Sequence, residues 1–440
     1  MAEPEPAALS ASTPYRFTYH LGLYLAVNAL PDAYALIDGP DCLLRKAEWV
    51  HGKHDWHSTL LDVLGNHRIV STFMESERVV KSRGEEVAIR IRQIDRVPGA
   101  RVVLVCSMPH VMIIGTQYDQ IIRRLSSQVK VRLLEVPSRS LDGDWLDGYA
   151  AALSALADAV DIGGPPPDPG KVAIVGYVMD RTERDHAANL DELSRLCAGL
   201  GLELCSVWLS GRGFDRLADA ARAGTIVALP GGLEAARTLS RRTGARLCEV
   251  PTPFGPVRTH RFLRRLAEAT GRAERVEPLV ERELSRLVPR LEWVVSHVFA
   301  GKRVAFSGAP ELFGGFLQLA AELGLEVKNL SAPALGHHLR EDLAAEFGDL
   351  PPIQFAPTTF ALQRALDQAG PLDLIVADSE CCDAAGGRAP VVEFGFPSHF
   401  DHALFDRPFL GWNGWMSFVD RMAQALSRGR RSRQMQSLAP

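Results

Sequence analysis

Cys42 closes the stretch Leu36-Ile37-Asp38-Gly39-Pro40-Asp41-Cys42, where a Gly-Pro turn sets a carboxylate and a thiol side by side at the end of an apolar run. An accessible thiolate there is a soft-metal ligand; the same group buried is a small hydrophobe. Of the other cysteines, Cys106 lies inside an apolar run, Cys197 in a helical pattern, and Cys205 and Cys248 in strand patterns, which reads as packing. Cys381 and Cys382 follow Asp378-Ser379-Glu380, and adjacent cysteines rarely chelate one metal in unstrained geometry. His51, His54 and His57 recur at spacing three; on a helix they would share a face and with Asp55 resemble a metal site. Gly52 disfavours that helix, and the alternative is a polar stripe or a cleft wall beside Cys42. His399 and His402, with Asp401, are candidates for lining a cavity between domains.

These residues must be held by regular elements, and the chain repeats one grammar three times: an apolar strand, a turn, a helical period. Strands are expected at Ala33–Asp38, Arg101–Ser107 and Val129–Val136, with helices at Tyr118–Ser126 and Trp145–Ala159. Gly163–Gly170, reading GGPPPDPG, forbids regular structure and marks a linker. The grammar restarts at Lys171–Gly176, with helices at Ala188–Leu200, Arg212–Ala223 and Leu233–Thr243 and strands at Glu203–Leu209, Thr225–Ala228 and Ala245–Val250. It restarts again at Lys302–Ser307, followed by helix Gly314–Leu323 and strands Glu326–Leu330 and Leu372–Ala377. Continuous apolar strands alternating with helices imply parallel sheets covered on both faces.

The 440 residues are 46% hydrophobic and 23% charged, a globular balance, and the net charge of −4 gives no nucleic-acid footprint. Apolar runs such as Val102–Cys106 fall far short of the roughly 18 residues of a membrane helix, so a soluble chain is expected. The Ala/Pro/Ser/Glu-rich start is neither a secretory nor a transit signal and reads as a loose arm, which with an odd number of cysteines points to reduced thiols in the cytoplasm. No G-x-G-x-x-G follows any strand and no P-loop is present, so nucleotide chemistry belongs to a partner.

The order of landmarks resembles the nitrogenase component 1 superfamily. The Asp38–Cys42 turn resembles its HGPxGC turn, and Ser71–Glu77 its T.E.d.V.G segment. Val103–Pro109 with Ile113-Ile114-Gly115 resembles C-P-x-x-x-I-G-D-D. Glu393–Ser398, with His402 and Arg407–Gly414, resembles the GFP…P..G..G tail. The likeness runs from Tyr19 to Leu426 and implies an α/β chain of three Rossmann-like domains, each a mainly parallel sheet flanked by helices. The expected divisions are an N-terminal arm at 1–18, a first domain at 19–165, a second at 166–288, and a third at 289–440 whose tail returns to the first.

The resemblance also implies an iron–sulfur cluster, 4Fe-4S or larger, at an interface with a like or identical subunit, and an ATP-dependent iron protein supplying electrons. Cys42 matches the first of three cluster cysteines in the family's catalytic chain. No Cys lies near Ser71–Glu77, and Met108 precedes Pro109 where the third belongs. Four thiolates, or three and an oxygen donor, usually hold a cubane. The light-independent protochlorophyllide reductase meets this by sharing, three thiolates from one subunit and one Asp from the other. Cys42, with Asp41, Gly39 and Pro40, is therefore expected to form the minor half of a shared site. Cys42 with Cys106, doubled across a two-fold axis, would allow a homodimer; otherwise a heterodimer or heterotetramer is implied. Where the family holds a molybdenum–iron cofactor with a Cys and a His, this chain shows Leu229-Pro230 and Leu410, so no ligands for it are recognised. His57 and His402 are the candidate proton donors to a reduced substrate, a small organic molecule or a tetrapyrrole. The alternative is a non-catalytic scaffold or cofactor-assembly subunit of the same superfamily.

Overall fold

The computed structural model describes residues 15–73, 84–112, 115–139, 141–163, 166–336 and 339–437. Residues 1–14 of the expected arm, 74–77 of the second family-like stretch and Ile113-Ile114 of the third lie outside them. Three separate parallel sheets form the frame. The first joins β1 (Ala33–Asp38), β2 (Ile69–Ser71), β3 (Val102–Ser107) and β4 (Arg132–Glu135) in the order β2-β1-β3-β4. The second joins β5 (Asp168–Val175), β6 (Glu203–Val207), β7 (Ala223–Ala228) and β8 (Arg246–Glu249) as β6-β5-β7-β8. The third joins β9 (Arg303–Ser307), β10 (Glu326–Ala332), β11 (Ile353–Phe355), β12 (Leu374–Ala377) and β13 (Val391–Glu393) as β11-β10-β9-β12-β13.

The burial of β1 and β3 explains why their sequences do not alternate. Ala33, Ala35 and Ile37 face helices Tyr19–Asn28 and Trp145–Ala159, while Tyr34 and Leu36 face helices Gly84–Ile94 and Tyr118–Leu125. Both faces are therefore apolar. The first helix pair crosses backbone to backbone: a Cβ on Gly22 would lie 1.7 Å from the Trp145 carbonyl oxygen, and one on Gly148 would lie 1.9 Å from that of Tyr19. Asp144 caps the second of these helices, accepting from the Leu146 N–H at 2.8 Å, and Asp147 returns the bond to the Asp144 N–H. The largest core cluster draws residues from all three sheets, so the three units are fused rather than strung on linkers.

Several expectations needed correction. The Asp168-Pro169-Gly170 end of the expected linker opens β5, since a proline is tolerated at the first residues of a strand. The expected helix Arg212–Ala223 is a 3-10 helix over Phe214–Arg222. Residues 15–18, expected at the end of a loose arm, are docked on the third sheet. Tyr15 is buried, its N–H donates to the Pro357 carbonyl at 2.6 Å, and its hydroxyl meets Ser307 Oγ at 3.0 Å. Burial of two aromatic rings outweighs the disorder suggested by the arm's composition, Phe17 packing on Trp49 and Phe396.

Candidate functional site

The Cys42 turn leaves the carboxyl end of β1, where parallel sheets collect ligands. Asp38 is fully buried and anchors it: its carboxylate accepts from Thr72 Oγ1 at 2.6 Å and from the Tyr118 hydroxyl at 2.7 Å. The Gly39 N–H donates to Thr72 Oγ1 at 3.0 Å, and Ser71 Oγ donates to the Gly39 carbonyl at 2.7 Å. Pro40 then caps a 3-10 turn over Asp41–Leu43. The outcome is a rigid turn carrying two exposed groups, Asp41 and Cys42. Of the seven cysteines Cys42 alone is exposed. Nearby, the Tyr24 hydroxyl is buried with no hydrogen-bond partner among the described residues. Burial pushes that phenol well above its ordinary value, and the nearby Cys106 and Cys42 thiols add to the rise.

Cys106 belongs to the core of β3, its thiol pushed up to about 12 by burial. Burial likewise raises Cys197 to about 12 and Cys205 and Cys248 to about 11, and pushes up Cys381 and Cys382. These thiols stay protonated and serve as packing. Among the described residues no group of three or more His, Cys, Asp or Glu side chains is arranged to hold a metal ion. The donors present therefore fit a cluster only as a minority contribution at the surface, Cys42 with Asp41, completed by another subunit.

The histidine stretch is not helical. Gly52 takes φ = +79°, and the three rings diverge: His51 turns to His67, His54 is buried, and His57 is exposed. His54 spans two interfaces, Nε2 meeting the Asp180 carbonyl at 3.0 Å and Nδ1 accepting the Ser398 N–H at 2.9 Å. Thr182 Oγ1 donates to the His57 carbonyl at 2.6 Å. Next to it, His402 is clamped, with Nδ1 2.7 Å from Glu183, Nε2 donating to the His399 carbonyl at 3.1 Å, and Trp56 stacked on its ring at 3.8 Å. His57 and His402 thus meet the same Thr182-Glu183 segment, and neither lines the cavity described next.

A narrow cavity of about 80 Å³ lies where the three units converge. Its apolar wall includes Trp145, Leu229, Phe396 and Leu410; its polar wall includes Asp180, Arg181, Asp185, His186, Glu311 and Arg421. Leu229 and Leu410, far apart in sequence, are brought into one wall. Asn189 holds Leu410 there by accepting its N–H at 3.0 Å. His186 bridges Tyr177 and Asp180 at 2.7 and 2.8 Å. Burial opposes charge on both partners, but the two histidines around Asp180 hold its carboxyl far below the usual range, and Asp180 raises His186. Asp180, Arg181, Asp185, His186 and Glu311 were not singled out from sequence. The dense charged run Asp180–His186, four residues beyond an apolar strand, was the available signal.

The model for nitrogenase component 1 type oxidoreductases matches residues 19–427. The chain belongs to that family. It is 25% identical over 369 residues to a nitrogenase iron-iron protein beta chain of Rhodobacter capsulatus, covering 78% of this chain and 79% of that one. It is 26% identical over 363 residues to a nitrogenase vanadium-iron protein beta chain of Trichormus variabilis, covering 75% and 77%. Among solved structures, one titled nitrogenase Cp1 at pH 6.5 superposes with a TM-score of 0.80 at 16% identity, over 97% of this chain and 95% of that one. For a nitrogenase component 1 type chain, the exposed Cys42 turn is the feature that calls for a chemical role. No helix among the described residues is long and apolar enough to cross a membrane.

Proposed function

We propose that this chain is one subunit of a nitrogenase-like two-component reductase, in which Cys42, supported by Asp41 and the Gly39-Pro40 turn, contributes to an iron–sulfur cluster shared with a homologous subunit. The observation that carries the reading is that the one exposed cysteine stands on a rigid turn at the carboxyl end of β1, with a hydroxyl donor nearby, Tyr24, buried without a partner among the described residues. A cluster held there would supply a one-electron relay between an ATP-dependent iron protein and the substrate. The residues of this chain would fix the thiolate, shield it on the Tyr24 side, and build part of the substrate's surroundings. Relatives named as nitrogenase beta chains support a hetero-oligomer. The proposed compartment is the cytoplasm, where reduced thiols and a low-potential donor coexist.

The test is anaerobic co-purification with a homologous component 1 subunit, followed by iron and sulfide analysis and electron paramagnetic resonance. Wild type carries a cluster signal; Cys42→Ala loses it, or changes its form, with an unchanged circular dichroism spectrum. Turnover that survives replacement of both Cys42 and Asp41 would overturn the reading. The scaffold alternative draws on the hydrocarbon side chains at Leu229 and Leu410. It predicts a complex whose activity is indifferent to changes in this chain's cavity wall.

A further inference from the structure

Tyr15 fills the place in the third unit where a parallel sheet takes a ligand. The chain runs outward from β9 through β10 and β11 on one side, and β12 and β13 lie on the other, so the strand order reverses between β9 and β12. The crevice beyond the carboxyl ends of such a pair is the usual ligand site of an open α/β sheet. Two buried polar side chains stand in it, Ser307 at the end of β9 and Asp378 directly after β12. Ser307 Oγ lies 3.0 Å from the Tyr15 hydroxyl, which also donates to one Asp378 oxygen; the other Asp378 oxygen accepts the Cys381 N–H at 3.1 Å. The ring packs in an apolar cluster whose small members Ala305, Ala377 and Ala384 leave the room it takes up. This occupant is foreign to the unit, since it stands on the arm, 292 residues ahead of Ser307. The arm goes on to touch the helix that follows the Cys42 turn. Phe17 packs on Trp49 with ring centroids 5.6 Å apart, and Thr18 Oγ1 accepts from Lys46 Nζ at 3.0 Å, both partners lying on helix Leu44–Val50. Beside the slot a groove of about 590 Å³ opens between the first and third units, with Tyr15, Lys46, Trp49, Leu362 and Glu380 in its walls.

We propose that this crevice is a binding site for a hydroxyaryl ligand, that Tyr15 is its built-in occupant, and that the arm couples the site to the helix after Cys42. The slot recognises a ring by its apolar walls and a hydroxyl by Ser307 and Asp378; a ring without the hydroxyl leaves two buried polar groups short of a partner. Burial pushes the Asp378 carboxyl well above its ordinary value, the Cys381 N–H draws it back, and Glu380 adds to the rise. An uncharged head group therefore suits the slot better than an anion, which would add charge to a site already short of water. The groove has the size of a small-molecule pocket, so the ligand's remainder lies there and supplies the affinity needed to displace a tethered ring. Displacement frees Phe17 and Thr18 together with Tyr15, because the Tyr15 and Phe17 N–H groups bind the Pro357 and Pro333 carbonyls along one short segment. Helix Leu44–Val50 then loses its contacts at Trp49 and Lys46. The site acts by binding alone and stands apart from the cluster reading.

The experiment uses the full chain, with phenol as the probe and toluene as its counterpart without a hydroxyl. Calorimetry of the wild type shows no saturable phenol binding below about 10 mM, because the tethered ring holds the slot. Tyr15→Ala binds one phenol with millimolar affinity and toluene at least about tenfold more weakly. Tyr15→Phe keeps the ring and stays closed to phenol. Amide exchange in helix Leu44–Val50 quickens about tenfold in Tyr15→Ala and stays quick with phenol bound, since the arm remains undocked. Should Tyr15→Ala lack the native circular dichroism spectrum on its own, about 10 mM phenol restores it. Tyr15→Ala that neither binds phenol nor is restored by it, toluene bound as tightly as phenol, equal phenol binding by Tyr15→Phe, or unchanged exchange in the helix each overturns the proposal.

Discussion

Two thiols at the carboxyl ends of neighbouring strands, Cys42 after β1 and Cys106 within β3, meet opposite fates because of where the backbone places them. Cys42 lies on a turn whose polar groups are satisfied by Ser71, Thr72 and Asp38, so its side chain is free to face outward. Cys106 pairs with Ile37 in the ladder and is sealed in the core, with its thiol at about 12. Serine substitution separates them: Cys42→Ser should change unfolding free energy by no more than about 0.5 kcal/mol, as at other exposed positions. Cys106→Ser places a hydroxyl in an apolar site and should lose about 1–3 kcal/mol. Urea unfolding of the two variants measures the difference. Arg68 shows a third fate: it is almost wholly buried, and donates to the Leu30 and Thr59 carbonyls, so it pins the entry to β1 with no ion pair to a carboxylate among the described residues.

At the scale of elements, the loop after β5 and the helix Arg184–Gly199 form a buried charged seam. Asp180 and His186 are its centre, with His54 reaching in from the first unit. Because Asp180 raises His186 above its free value, the histidine's contribution is complete below the ordinary imidazole value of about 6.5 and is lost as pH climbs through the raised value. Because the Asp180 carboxyl is depressed, its contribution is complete above about 3.9 and fades as pH falls below that. The stability gap between wild type and Asp180→Asn should therefore be widest between about pH 4 and 6.5, reaching about 3–5 kcal/mol, and should narrow on the alkaline side. Denaturant midpoints measured across pH 4 to 9 check both the window and the sign.

Across the whole molecule, the tail between β13 and the final helix Gly411–Ser437 latches the three units together. Phe396 packs on Phe17, Trp49 and Trp145, Ser398 bonds His54, and His402 and the Ala403 N–H bind Glu183. Further on, Asn189 holds the Phe409 and Leu410 N–H groups, and Glu192 binds Asn413. Phe396→Ala should remove about 3–5 kcal/mol and split a single thermal transition into two, because it empties the point where the units meet. Calorimetry distinguishes this from a loss confined to one unit, which would keep one transition.

Strand and helix positions followed from local pattern wherever both faces of a strand are buried, as in β1, β3 and β9, because parallel strands covered on two sides leave uninterrupted apolar runs. The three-residue strands β2, β11 and β13 escaped notice, since so short a run carries no period. The Gly-Pro-Asp-Cys turn was legible because its residue types act through their own backbone geometry and neighbours. The cavity was not: Leu229, Glu311 and Leu410 come from three parts of the chain, and only their convergence makes a wall. Likewise, His51, His54 and His57 were read as sharing a face only on a helix, and Gly52, which argued against that helix, takes the left-handed region while the rings go to different surfaces. Local chemistry is a property of consecutive residues, so sequence alone determined the long buried strands and the Gly-Pro-Asp-Cys turn. Burial and proximity belong to the packed chain, so only the tertiary structure decided which thiol is exposed and which acid stands in the cavity wall.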